Sequence, residues 1–106
     1  MSAQPEQSPI LGLLASMTES SLEACELDSE TLMLVRIGAL VAVDAPPASY
    51  LMNLRAAGMS GVTEQQVLDV LAAVAPIVGT ARVVAAAGKM ARAFALKLEL
   101  AELEDE

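Results

Sequence analysis

The chain has 106 residues, fourteen acids against six bases for a formal net charge of −8, no histidine and one cysteine. That length bounds it to one domain, and the acidity opposes binding to nucleic-acid phosphates or to anionic membrane surfaces. Without histidine the commonest general acid–base and metal ligand is missing, and one cysteine excludes both an intrachain disulfide and a C-x-x-C pair, so no cofactor is expected.

The residues from Met1 to Ser8 are polar with no basic stretch, which reads as a flexible tail and not as a signal peptide. Pro9 suits a first helical turn, and Ile10, Leu13, Leu14 and Met17 recur at helical spacing. The next helix starts at Asp28, an N-cap with Leu27 and Leu32 placed as a hydrophobic staple. It runs to about Val43 and is apolar on nearly every face apart from Arg36, so it is expected to be central. A buried arginine needs a partner, and Glu30, Asp44 or an acid of another subunit are the candidates.

Asp44 is expected to cap a third helix whose first turn tolerates Pro46 and Pro47 and which stops near Gly58. Met59 to Gly61 is a turn. Thr63 with Gln66 then forms a capping box, with Val62 and Val67 as its staple. That fourth helix is expected to end or kink near Pro76. Gly79-Thr80 opens the last one, which is expected to run past Phe94 towards Leu103. Residues 99–106 hold five acids, which oppose the helix dipole and predict a frayed end.

No strand pattern occurs. The expectation is an all-α bundle of about five to six helices: a tail over 1–8, one domain over 9–98 and an acidic end over 99–106. The longest uncharged apolar run, Val70 to Ala81, contains Pro76 and Gly79 and falls short of the roughly 18 residues a membrane span needs. A cytoplasmic, soluble protein fits. Hydrophobic residues make up 55% but aromatics only 2%, so the apolar content is aliphatic. A monomer this small buries only around two-thirds of the surface its unfolded chain exposes. Assembly through apolar helix faces into a homo-oligomer is therefore expected.

Several segments, in this order, carry a resemblance: Leu27-Asp28 opening a helix, Arg55-Ala56-Ala57-Gly58 ending the next, Thr63-Glu64-Gln65-Gln66-Val67 opening another, and Ala75-Pro76-Ile77-Val78-Gly79 before an Ala-rich helix. From Leu27 to Phe94 the chain resembles the carboxymuconolactone decarboxylase / alkylhydroperoxidase-D-like superfamily. The resemblance implies an all-α fold associating into trimers or hexamers. In the peroxidase branch a C-x-x-C-x-x-x-H motif opens the helix that ends at the Ala-Gly pair. Counted back from Gly58, its imidazole falls on Tyr50 and its thiols on Pro46 and Val43. A proton-relay glutamate falls near Glu30. In the decarboxylase branch a histidine remains, again near Tyr50.

Peroxide reduction needs one thiolate to attack and a second thiol to resolve the sulfenic acid, and neither Val43 nor Pro46 supplies one. Cys25 reads as a small buried or half-buried apolar residue. The candidate pocket is Glu30, Arg36, Val43, Pro46 and Tyr50, with Tyr50 about a turn and a half into its helix and facing the helix that begins at Asp28. Arg82, Lys89 and Arg92 share one helix face, read as solvated or as pairing with acids across subunits. The methionines read as gap-fillers.

Three functions stay open. The first is a redox-motif-less structural or interaction protein. The second is a binding protein for a small apolar or carboxylate ligand. The third is a decarboxylase- or isomerase-like enzyme using Tyr50 and Glu30. Enzymatic activity is uncertain and peroxidase activity is not expected.

Overall fold

The computed structural model describes the backbone from Ser8 to Glu104 and the side chains from Ser8 to Ala95. The expected tail therefore lies outside the described residues except for Ser8, as do Asp105 and Glu106. Five helices make up the described chain, with no strand among these residues: α1 Pro9–Ala24, α2 Ser29–Ala42, α3 Pro47–Met59, α4 Glu64–Val78 and α5 Thr80–Glu104.

Local chemistry sets most of the helix starts. Ser8 caps α1 by accepting from the Leu11 N–H at 3.1 Å, ahead of Pro9. Asp28 caps α2 by accepting from the Thr31 N–H at 2.8 Å. Thr63 and Gln66 cap α4 reciprocally, each side chain taking the other's N–H, at 3.1 and 2.9 Å. These bonds satisfy donors that the first helical turn leaves orphaned.

One helix start differs from expectation, while α4 and α5 end close to where they were expected to. The N-cap of α3 is Pro46 and not Asp44, and no side chain caps it. Helix α4 runs through Pro76 to Val78 and closes at Gly79, whose φ of 91° suits glycine alone. Pro76 is tolerated because it and Ala72, whose carbonyl it leaves without a donor, both sit on the exposed side. Helix α5 keeps its backbone helical to Glu104, taking in part of the acidic end.

Helices α2 to α5 close a ring in which α2 packs on α3 and α4, and α5 packs on the same two. Their inward residues recur every three or four positions: Met33, Ile37 and Val41; Tyr50, Leu54 and Ala57; Val67 and Leu71; Ala86, Met90 and Ala93. Ala, Gly and Val let the helices approach closely. A Cβ added at Gly38 of α2 would stand 3.4 Å from the nearest methyl of Val74 on α4.

Helix α1 stands outside that ring. It packs against none of the other helices and buries no residue. Among the described residues its one side-chain hydrogen bond to the rest of the protein runs from Arg36 Nη2 to Ser21 Oγ, 2.9 Å. The radius of gyration, 15.3 Å, exceeds the about 13 Å of a compact chain of this length. Ile10, Leu11, Leu13, Leu14, Met17 and Leu22 all remain exposed. Fully covering one such side chain stabilises by about 1.5–3 kcal/mol. With about half of each still in water, α1 holds roughly 5–10 kcal/mol of burial it has not realised.

Candidate functional site

The corner between α2 and α3 holds three of the five candidate residues. Val43 closes α2 as its C-cap and is exposed. Asp44 follows in the left-handed region at φ 54°, a conformation an aspartate tolerates better than most residues. It sends the chain back so that the Ala45 N–H donates to the Leu40 carbonyl at 3.0 Å. Pro46 then opens α3, exposed on its outer side, and Tyr50 turns inward one helical turn later.

Two cations of α5 brace this corner. Lys89 Nζ donates to Asp44 Oδ1 at 2.8 Å and to the Ala45 carbonyl at 2.9 Å, with a longer contact to the Asp44 carbonyl. Arg82 Nη1 donates to the Ala42 carbonyl at 3.0 Å. The final carbonyls of a helix lack intrahelical donors and carry the negative end of its dipole, so cations satisfy them both ways. The bond and the charge of Lys89, with a smaller contribution from Arg82, hold the Asp44 carboxyl below its usual 3.8. These side chains are therefore neither simply solvated nor reserved for another subunit, as their shared face had suggested. They serve the chain's own turn, from 40 to 45 residues away.

Tyr50 has 0% of its surface exposed, and its hydroxyl has no hydrogen-bond partner among the described residues. Burial first, and the nearby Asp44 charge second, push the phenol above its usual 10.0. A buried hydroxyl left unpaired costs about 1–3 kcal/mol, so Tyr50 is held by its ring and not by its oxygen.

The other two candidates sit elsewhere. Glu30 lies in the first turn of α2, where Oε1 accepts from Gln66 Nε2 of α4 at 2.9 Å. Thirteen residues of helix separate it from Val43, about 20 Å along the axis. Arg36 points away from both ends to Ser21 of α1, a neutral partner in place of the expected acid. The structure thus sets Val43, Pro46 and Tyr50 in one corner, the first two outward and Tyr50 inward, and leaves Glu30 and Arg36 apart from them.

Among the described residues, three hollows open on other faces. One of about 190 Å³ lies between α4 and α5, lined by Leu68, Leu71, Ala87, Met90, Ala91 and Phe94 with Glu64 at its edge. A neighbour of about 120 Å³ is bounded by Leu54, Gly58, Val62 and Phe94, and a third of about 320 Å³ by Leu34, Gln66, Asp69 and Val70. None has Tyr50 in its lining. Among the described residues no group of three or more acids or cysteines is placed to hold a metal, and no helix is long and apolar enough to cross a membrane.

In a comparison against known families, the model described as "Carboxymuconolactone decarboxylase family" matches residues 10–92. The chain belongs to the carboxymuconolactone decarboxylase family. The match takes in α1, which the resemblance from Leu27 onward did not reach. No curated protein and no solved structure matches the chain. As a carboxymuconolactone decarboxylase family member it lacks the cysteine pair, having one cysteine in all. Cys25 is half-buried at the end of α1, packed against the core.

Proposed function

We propose that this family member is non-catalytic and acts as an oligomeric structural or interaction protein. The observation that carries the reading is the α2–α3 corner. The positions of the resemblance's two thiols hold Val43 and Pro46, and the imidazole position holds a buried phenol. The turn between them is tied down by Lys89 and Arg82. Such a corner offers neither a thiol nor an imidazole and has little freedom to rearrange. The uncovered apolar residues of α1 supply the motive for assembly, and a trimer or hexamer is the size the resemblance implies. A single half-buried thiol fits a reducing, cytoplasmic setting.

The test is direct. Purified protein supplied with a hydroperoxide and a dithiol is expected to consume no peroxide above the uncatalysed rate. Consumption that Cys25→Ser abolishes would falsify the reading. Light scattering at micromolar concentration is expected to return an assembly, and a monomer would remove the structural role.

A second reading, binding of a small molecule, rests on the Tyr50 hydroxyl, a buried donor without an acceptor. It predicts a ligand whose affinity falls in Tyr50→Phe. An enzyme using Tyr50 with Glu30 ranks behind both, because Glu30 is engaged by Gln66 near the opposite end of α2.

A further inference from the structure

Among the described residues, helix α1 and the groove between α4 and α5 are two uncovered apolar surfaces that match each other. Helix α1 has 16 residues and α4 has 15, so both are about 23 Å long. The groove is floored by Leu71 and Met90 and edged by Leu68, which is 54% exposed. Its α5 wall is low, because Ala87 and Ala91 are small and exposed, and small residues let another helix axis come within about 8 Å. Val84, one turn before Ala87, continues that stripe and is exposed too.

The hollow in the groove, about 190 Å³, falls below the roughly 300–1,000 Å³ of small-molecule sites. It exceeds the roughly 150 Å³ that takes a benzene ring. A space of that size suits one or two aliphatic side chains carried by a helix. Leu14 and Met17 of α1, with Ile10 and Leu13 a turn earlier, present such side chains at helical spacing.

A chain's own α1 is held away from its own groove. Cys25 to Asp28, at most about 14 Å of chain, is all that joins it to α2, and it lies on the α2 side, where Arg36 meets Ser21. The groove lies between α4 and α5, across the ring from the α2–α3 pair. We propose that α1 of one copy lies in the α4–α5 groove of a second copy of this chain. The inference rests on the oligomeric reading above and names the surfaces that make the assembly. The six uncovered large side chains of α1 amount to a patch of several hundred Å², and a stable interface buries roughly 800 Å² per partner. A reciprocal exchange, in which each copy gives its helix and receives the other's, doubles what one helix supplies. Passed on in one direction instead, the same contact closes a ring.

Sedimentation equilibrium of the full chain tests this, with Leu14→Glu, Leu68→Glu and the double variant compared with wild type. Leu14 and Leu68 are both at least half exposed, so the helical circular dichroism of each variant should be unchanged. The expected result is an assembled wild type and, for each single variant, a dissociation constant raised about thirtyfold or more, as for a hot-spot side chain. The double variant is expected to be far less than additive, because both changes break one contact. An assembly that survives Leu68→Glu, or effects that add, overturns the inference while the oligomeric reading stands. A monomeric wild type overturns both. Assembly lost in Leu14→Glu alone means that α1 docks elsewhere, against another α1 for instance, and also overturns it.

Discussion

At the scale of single residues, Tyr50 and Asp44 carry the testable chemistry. Because the Tyr50 hydroxyl is buried without a partner, Tyr50→Phe removes a desolvation cost and breaks no bond. It is expected to leave the chain as stable or up to about 1 kcal/mol more stable in denaturant unfolding. A loss above that size means the hydroxyl has an acceptor. Asp44 titrates from a depressed folded-state pKa. Its contribution is fully present above the unfolded value of 3.8 and is lost as pH falls through the lower folded one. The stability gap between wild type and Lys89→Met, followed from neutral pH downward, should narrow below 3.8. A gap that is constant with pH would show that the ion pair contributes nothing. The inward turn of Tyr50 was legible from its place in α3. The bracing by Arg82 and Lys89 was not, because their partners are backbone carbonyls brought near only by the ring closing, and spacing along α5 says nothing about those.

At the scale of helices, the clearest signals were short-range polar ones. The capping box of Thr63 and Gln66 is read directly from four residues, and Gln66 goes on to hold Glu30 of α2 at 2.9 Å. Thr63→Ala is expected to cost about 1 kcal/mol in thermal or denaturant unfolding; an unchanged midpoint would mean water replaces the cap. Asp44 was misread as a cap because Lys89 competes for its carboxylate, while Pro46 needs no side-chain cap to start a helix. Packing between helices offers a sharper test. Gly38 has room for one methyl against Val74 and Val70, so Gly38→Ala should stabilise by up to about 1 kcal/mol through helix propensity. Gly38→Leu should destabilise by about 1–3 kcal/mol by pushing α4 away. If both variants destabilise equally, α2 and α4 are closer than described.

At the scale of the molecule, helical periodicity and the lack of any strand pattern were enough to foresee an all-α fold, and the aliphatic composition to foresee surfaces left uncovered. It did not foresee that six of the fourteen exposed large hydrophobic residues described would lie on one helix, because periodicity within α1 does not say which neighbour covers it. With a net charge of −8 per chain, copies repel one another. Assembly is therefore expected to tighten as salt rises to about 0.15 M, where the screening length is about 8 Å. Assembly that weakens over the same range would point to ion pairs, not apolar contact, at the interface. The isolation of α1 also has a consequence in time. Synthesis begins at the N-terminus, so α1 is made before the ring that completes the fold, and that ring, once closed, still does not cover it. In the proposed exchange, cover comes from an encounter with a second chain, and the rate of encounter rises with concentration. On that proposal, α1 stays open to capture by chaperones longest when the molecule is scarce, and abundance shortens that exposure.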